Sequence, residues 1–252
     1  MNIITEPSRP IPLSPKEKNR VEQEALFERR WLQDPEQFNP ARTSRTQVES
    51  DRLLTVLPIT KDKRALDLGT GFGYVAEKLS QQGIKVDALD ISQNCLKRLH
   101  LPDVTLIQDY FPHTKLADGA YDLIVAANLI AELPESERRL AVSEIARLLT
   151  RTGTAVVSTP IDIHSDDALV RFITLLETEF DIDRLIFSHH RLSIQLPYLQ
   201  NSVGWLNFLE NLASFFWQDQ AISHVIALVH KRPIILASAP TEDRKPKKSV
   251  WE

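Results

Sequence analysis

The glycines of this chain are concentrated at one place. Only seven occur in 252 residues, and four of them fall between positions 69 and 83. Gly69, Gly71 and Gly73 stand at alternate positions directly after the apolar segment 64–68. Glycine adopts left-handed backbone readily and lets a chain pass close to a ligand. The sequence therefore predicts a sharp turn from a strand into a helix here, around something that the chain binds.

Candidate strands and helices alternate from residue 44 onward. Helices of roughly ten to fifteen residues between strands favour βαβ units and a parallel sheet. We therefore expect an α/β fold with a doubly wound, mostly parallel seven-stranded sheet and helices on both faces, a Rossmann-like arrangement. The predicted strands are 64–68, 85–89, 104–107, 121–127, 154–158, 182–187 and 223–230, and the predicted helices are 46–57, 74–82, 92–99, 135–150, 166–180 and 203–217.

Three segments are expected along the chain. Residues 1–43 form an N-terminal extension in which Ser14-Pro15 is a helix N-cap followed by proline at the first helical position. Its helix is predicted to run to about Gln33, and the extension is either a lid over a site or a strap that only packs. Residues 44–232 are predicted to form the main domain, and the charged tail 233–252 is expected to be flexible.

Composition limits the classes of function. The formal net charge of −4 does not favour a nucleic-acid partner, which usually needs a basic surface. One cysteine, Cys95, forms no intrachain disulfide and no cysteine-based zinc cage. The sequence shows no apolar run of membrane-spanning length and no secretory signal pattern at its start. These features predict a cytoplasmic protein without a membrane span, and they leave the oligomeric state open.

The glycine loop excludes two nucleotide-binding motifs. A dinucleotide site needs a small residue at the third position of Gly-x-Gly-x-x-Gly/Ala, but Tyr74 stands there. A phosphate-binding Walker loop needs Gly-Lys-Ser/Thr, which does not follow. Asp67 precedes the first glycine, and a carboxylate there repels a pyrophosphate but suits a ligand that carries an ammonium group.

Residues 67–73, Asp-Leu-Gly-Thr-Gly-Phe-Gly, resemble the first motif of the class I S-adenosylmethionine-dependent methyltransferases. Three further elements follow in the family's order: an acidic residue that ends the next strand, an Asp-Tyr pair after the third strand, and an Asn after the fourth. The similarity covers about 44–232 and implies S-adenosyl-L-methionine as the cofactor. The residues that the resemblance assigns to the cofactor are Asp67, Gly69, Thr70, Gly71, Gly73, Asp90, Ile91, Asp109, Tyr110 and Asn128.

The resemblance also implies individual roles, each of which has a structural alternative. Asp90 would hold the two ribose hydroxyls from an exposed strand end, or it would be a helix N-cap. Asp109, with Tyr110 beside it, would contact the adenine, or Asp109 would begin a turn. Asp67 could instead cap a helix, and Asn128 could be a turn residue at the strand end.

The acceptor side is less well defined. Many small-molecule methyltransferases of this family carry Asn-x-x-x-His after strand four, but Glu132 replaces the histidine here. Glu132 and the loop residue His164 are weak candidates for a general base, so the catalytic residue stays unknown. His189-His190 has no accompanying ligand cluster, and no metal is expected. Residues 198–217 hold six aromatic side chains that are predicted either to be helix core or to wall an apolar acceptor pocket.

We therefore expect methyl transfer to a small acceptor, an apolar or aromatic metabolite or a lipid precursor. Two alternatives stay open: a protein or RNA methyltransferase, and a methyltransferase fold that only binds a ligand or partner without turnover.

Overall fold

The structure, a computed structural model, describes residues 13–60, 63–162, 165, 167–189, 203–216 and 222–232. Seven strands form one sheet in the order β3-β2-β1-β4-β5-β7-β6. All neighbouring strands run parallel except β7, which is antiparallel to β5 and to β6. The strands are β1 Arg64–Leu68, β2 Lys85–Asp90, β3 Val104–Gln108, β4 Tyr121–Ala127, β5 Leu149–Pro160, β6 Phe180–His189 and β7 Ile222–Lys231. The predicted doubly wound, mostly parallel sheet is confirmed.

Helices cover both faces of this sheet. They are α1 Pro15–Gln33, α2 Ser44–Thr55, α3 Tyr74–Ser80, α4 Gln93–Leu96, α5 Leu129–Glu132, α6 Glu135–Leu148, α7 Ala168–Leu176 and α8 Val203–Phe216, with 3-10 turns at Pro35–Phe38 and Pro40–Arg42. The short helix α5 was not expected from the sequence. The predicted N-cap of α1 is confirmed, because the Ser14 side chain accepts a hydrogen bond from the Glu17 backbone N–H and Pro15 is the first helical residue.

Two boundaries differ from the sequence prediction for tertiary reasons. Helix α6 ends at Leu148 and β5 begins at once, whereas the pattern predicted helix to residue 150 and strand from 154. Tyr121 pairs with Leu149, and the ladder resumes with Leu123 against Thr154, so the intervening residues bulge from the strand. Helix α7 is shorter than predicted because Phe180 already pairs with β7.

Strand β4 contributes side chains to the apolar cores on both faces of the sheet. Ile124 and Ala126 belong to the core under α6 and α7, while Leu123 and Val125 belong to the core under α2 and α3. Successive side chains of a strand point to opposite faces, so a strand buried on both faces reads as a continuous apolar run. The run Leu-Ile-Val-Ala-Ala in the sequence is therefore explained by burial on both sides.

The order of the strands reverses between β1 and β4. Chain crossovers lead from β1 outward through β2 to β3 on one side, and through β4 to β5 on the other. In open α/β sheets, such a switch point leaves a crevice outside the carboxyl ends of the strands, where ligands bind. Among the residues described, none of the helices combines the length and apolar character needed to cross a bilayer.

Candidate functional site

A cavity of about 290 Å³ lies at the carboxyl ends of β1, β2 and β4. It brings together nine of the ten side chains or backbone segments that the sequence assigned to a cofactor. Those nine are Asp67, Gly69, Thr70, Gly71, Asp90, Ile91, Asp109, Tyr110 and Asn128, and Glu132 also lines the cavity. Gly73 is the exception, and His164 lies outside the described residues.

The glycine loop has the left-handed backbone that its composition predicted. Gly69, Gly71 and Gly73 have φ values of 67°, 54° and 73°. A Cβ atom on Gly73 would come within 2.8 Å of a Leu101 methyl group, so this glycine allows close packing behind the loop. A Cβ on Gly71 would meet no protein atom nearer than the Gly69 carbonyl oxygen at 3.9 Å. The space beside Gly71 therefore belongs to the cavity, where a ligand can approach the backbone.

Asp67 is buried, and its carboxylate holds the loop together. Oδ2 accepts hydrogen bonds from the Thr70 hydroxyl at 2.7 Å and from the Ala76 backbone N–H, in the first turn of α3, at 3.2 Å. Asp67 therefore does cap helix α3, but only through Oδ2. Burial raises the pKa of Asp67 to about 6, and the nearby Asp90 adds to the increase. A cationic group in the cavity would lower this pKa again.

Asp90 is also buried, contrary to the expectation of an exposed strand end. Only 7% of its surface is exposed. Oδ1 accepts from the Ser92 backbone N–H at 2.9 Å, and Oδ2 accepts from the Gly71 backbone N–H at 3.2 Å. The helix N-cap is Ser92, which accepts from the Cys95 N–H, so Asp90 does not have that alternative role. Its burial raises the pKa of the carboxyl group, and hydrogen bonds from Ser92, Gly71, Cys95 and Ile91 oppose this increase.

The pair after β3 is held in place by the chain around it. Asp109 accepts from the Tyr110 and Lys115 backbone N–H groups, both at 2.8 Å, so it does organise a turn while lining the cavity. The Tyr110 hydroxyl donates to Glu137, and Glu137 also accepts from the Asn19 side chain at 2.9 Å. The ring of Tyr110 is thereby fixed against the cavity as a flat apolar wall.

Asn128 follows β4 in a left-handed conformation with φ 57°. Its backbone N–H donates to the Ser158 carbonyl oxygen at 3.0 Å. Its side-chain Oδ1 lies 3.2 Å from the Ser158 hydroxyl and 2.8 Å from Nε2 of His224. His224 is a residue that the sequence analysis missed, because it stands in an apolar strand far along the chain.

The N-terminal helix α1 supplies a wall of the cavity that the sequence did not assign. Trp31 is 2% exposed and packs against Phe38 at 4.7 Å and Phe72 at 5.4 Å between ring centroids. Glu28 accepts hydrogen bonds from the first backbone N–H groups of α4, directly after Asp90. Helix α1 therefore contacts both the glycine loop and the segment that follows β2.

Arg30 of α1 pairs with Glu132. Its Nη1 lies 2.6 Å from a Glu132 carboxylate oxygen, and its guanidinium lies 5.0 Å from the Phe27 ring centroid and 4.7 Å from that of Phe38. All four residues line the cavity. Because Glu132 is engaged by a cation, it is poorly suited to act as a free general base.

The aromatic segment near the end of the chain does not form the acceptor wall where it is described. Trp205 and Phe208 are 56% and 57% exposed and contact neither the cavity nor the core, so both readings were wrong for these two rings. Tyr198 and Trp217 lie outside the described residues, as do the side chains of Phe215 and Phe216. The N-terminal extension instead contributes Phe27, Trp31 and Phe38 to the cavity, beside Tyr74, Tyr110 and Phe111 of the main domain.

His189 has a structural role. It is buried, and its backbone N–H and Nδ1 both lie within hydrogen-bond distance of the buried Glu210. In the part of the chain that the structure describes, no three His, Cys, Asp or Glu side chains are grouped as metal ligands.

The cavity combines two carboxylates, of Asp67 and Asp90, with the flat apolar ring of Tyr110. The open space at Gly71 allows the backbone to approach the ligand. A cavity of this size with a few convergent polar groups is typical of a small-molecule site.

Comparisons with known proteins agree with this site. A model of a methyltransferase domain matches residues 65–153, the stretch from β1 into β5. The ubiquinone biosynthesis O-methyltransferase of Sodalis glossinidius (strain morsitans) is 30% identical over 104 residues, which cover 38% of this chain and 41% of that protein. Ribosomal protein L11 methyltransferase of Helicobacter pylori (strain Shi470) is 32% identical over 118 residues, which cover 43% of this chain and 33% of that protein. The chain thus matches less than half the length of these curated relatives.

A solved structure shares the fold. The S-adenosylmethionine-dependent methyltransferase of Mesorhizobium loti superposes with a TM-score of 0.55 at 16% identity, covering 73% of this chain and 98% of that chain. The glycine loop and the carboxylate that ends β2 both lie within the matched stretch. The comparisons thus show a methyltransferase domain at residues 65–153, set in a fold that a solved S-adenosylmethionine-dependent methyltransferase shares.

Proposed function

We propose that this chain transfers the methyl group of S-adenosylmethionine to a small acceptor with an apolar or aromatic portion. The observation that carries the proposal is one cavity that nine predicted cofactor residues line together with an aromatic wall, formed by Phe27 and Trp31 of α1 and Phe38 of the following turn. The cofactor residues explain binding of the methyl donor, and the aromatic wall explains recognition of an apolar acceptor.

When bound, S-adenosylmethionine supplies a methyl group that is already activated on a sulfonium, so the protein mainly aligns the reactants and excludes water. Asp67 would hold the ammonium group, and Asp90 would hold the ribose hydroxyls while keeping Gly71 in place. Asp109 and Tyr110 would face the adenine. No general base is assigned, because Glu132 is paired with Arg30.

The N-terminal extension, residues 1–43, would form the acceptor side of the site as a wall over the main domain, 44–232. Phe27, Arg30 and Phe38 line the same cavity as the polar cofactor residues. Stacked rings and a guanidinium favour a flat, partly aromatic molecule. The curated relative that acts in ubiquinone biosynthesis bears the name of an O-methyltransferase, which supports a small acceptor.

One observation favours a second candidate function. The relative from Helicobacter pylori is named as a methyltransferase of a ribosomal protein. Methylation of a protein by this chain would require a polypeptide to reach a cavity that α1 partly covers. The formal net charge of −4 argues against long-range attraction to RNA. It does not argue against attraction to a basic protein. The second candidate is therefore tested as protein methylation.

The experiment separates these functions. Calorimetry with S-adenosylhomocysteine first tests the cofactor site, with NAD as the control ligand. A heat of binding with NAD but not with S-adenosylhomocysteine would refute the proposal. Labelled methyl transfer is then measured with catechol and, separately, with purified ribosomal protein L11. Transfer to catechol supports the small-molecule function, transfer only to L11 supports the second candidate, and binding without any transfer supports a ligand-binding module.

A further inference from the structure

Three polar side chains form a row across the sheet next to the cavity. Asn128 follows β4, Ser158 lies near the end of β5, and His224 lies on β7, with Asn128 Oδ1 between the other two. His224 and Ser158 are 2% and 1% exposed. Only Asn128 lines the cavity, so the other two act on a ligand only through Asn128.

The hydrogen bonds of Ser158 determine which way the Asn128 amide faces. The backbone N–H of Asn128 is shared between the Ser158 carbonyl oxygen at 3.0 Å and the Ser158 hydroxyl oxygen at 3.2 Å. The hydroxyl proton is then free to donate to the amide oxygen, 3.2 Å away. This assignment places Oδ1 of Asn128 inside the protein and its NH₂ group on the side of the cavity.

His224 leads to the same orientation. Its Nδ1 is buried without a hydrogen-bond partner, and its Nε2 lies 2.8 Å from Asn128 Oδ1. A buried N–H without a partner is rarer than a buried lone pair without one. The proton therefore belongs on Nε2, which donates to Oδ1. Burial, together with the positive charges of Arg45 and Arg52, lowers the pKa of His224 to about 3 and keeps the ring neutral.

We infer that His224 and Ser158 are positioning residues that turn the amide N–H groups of Asn128 toward the cavity, which selects an acceptor that attacks through oxygen. The inference rests on the proposed methyl transfer and adds the acceptor atom to it. It also assigns a role to a residue of β7 that contacts neither ligand.

The selection follows from counting lone pairs. The acceptor's hydroxyl group first loses its proton to bulk water. Its oxygen then uses one lone pair to form the O–CH₃ bond and accepts an Asn128 N–H with another. The S–CH₃ bond breaks as its electron pair returns to sulfur, which leaves neutral S-adenosylhomocysteine. A neutral amine has a single lone pair, so it cannot attack the methyl group and accept an N–H at the same time.

The test uses 2-aminophenol, which offers oxygen and nitrogen in one molecule. With S-adenosylmethionine, the wild-type protein should give mainly the O-methyl product, resolved from the N-methyl product by chromatography and mass spectrometry. His224→Leu should lower the ratio of O- to N-methylation about tenfold, because the amide is free to rotate. His224→Gln should restore the ratio, because its side-chain N–H can replace Nε2. Binding of S-adenosylhomocysteine to both variants is the control that the site is still formed.

Three results would overturn the inference: mainly N-methyl product, an unchanged ratio in His224→Leu, or neither product while S-adenosylhomocysteine binds. Loss of S-adenosylhomocysteine binding in the wild type would instead refute the proposed function. A measurement without turnover is also decisive. Nitrogen-15 NMR of histidine-labelled protein should show the proton of His224 on Nε2, and a proton on Nδ1 would mean that the amide faces the other way.

Discussion

Asp90 Oδ2 accepts a hydrogen bond from the backbone N–H of Gly71 at 3.2 Å, so the carboxylate at the end of β2 holds the loop after β1. The Cys95 thiol contacts the Gly71 carbonyl oxygen at 3.1 Å from the same side. The loop after β1 and the carboxylate at the end of β2, which we propose bind different portions of S-adenosylmethionine, are thus one connected unit. Disturbing either residue should affect both binding and folding.

Asp90→Ala is expected to weaken binding of S-adenosylmethionine by about 2–4 kcal/mol through the loss of two charge-assisted hydrogen bonds. It should also lower the free energy of unfolding by about 1–3 kcal/mol, because the Gly71 and Ser92 N–H groups lose their acceptor. Calorimetry and denaturant unfolding measure the two effects. Asp103→Ala, at an exposed position before β3, is the control and should change neither. Normal binding in Asp90→Ala would remove Asp90 from the cofactor site.

Gly71→Val should abolish binding of S-adenosylmethionine, because the added side chain would enter the cavity. The left-handed φ of 54° adds strain of about 1–2 kcal/mol to the folded state. Gly204→Ala is the appropriate control, since a Cβ there meets no atom within 4 Å and the backbone has no positive φ. Affinity of Gly71→Val within threefold of wild type would place the methyl donor away from this loop.

The affinity for S-adenosylmethionine should depend on the protonation of Asp67. Burial raises the pKa of this carboxyl to about 6 in the ligand-free protein. An ammonium group needs the ionised form, so affinity should be constant well above pH 6 and fall about tenfold per pH unit below it. Calorimetry near pH 6 in buffers of different ionisation enthalpy should detect proton release on binding. Asp67→Asn should bind weakly with no such pH dependence, and a wild-type affinity that does not change between pH 5 and 7 would contradict this assignment.

The stability of the protein should fall in acid through His224. Its folded-state pKa of about 3 lies below the ordinary value of 6.5, so the unfolded chain binds the proton first. The contribution of neutral His224 to the free energy of unfolding is complete above pH 6.5. It is lost as the pH falls toward 3, by about 1.4 kcal/mol per pH unit. Asp67 acts in the opposite direction, because its pKa is raised on folding. His224→Gln should therefore show a smaller loss of unfolding free energy between pH 6.5 and 4 than the wild type, and equal slopes would show that His224 titrates normally.

Trp31→Ala should detach α1 from the cavity. Removing this buried ring costs about 3–5 kcal/mol of packing, and part of the cavity wall is lost with it. The melting temperature and the affinity for S-adenosylhomocysteine should both fall. Leu32→Ala is the matched control in the same helix, since Leu32 is 67% exposed, and it should change neither. If Trp31→Ala lowers stability alone, α1 is only a packing strap.

The sequence by itself determined the parts of the protein that depend on local backbone conformation and on the short-range spacing of apolar residues. Alternating glycines predicted the left-handed loop, because few other residues adopt that backbone. Alternation of apolar strands and helices predicted the doubly wound sheet, and strand ends predicted which of the assigned residues meet at the cavity. The order of the strands beyond β4 and the bulge at the start of β5 depended on pairings that no local pattern encodes.

Only the tertiary structure decided the contacts between segments that lie far apart in the chain. Arg30 meets Glu132 across 102 positions, and His224 meets Asn128 across 96. No local periodicity carries such pairings, because they arise when packed helices and strands bring distant side chains together. The same packing buried Asp90, which the sequence placed in an open cleft, and put the aromatic wall on α1 rather than near the end of the chain.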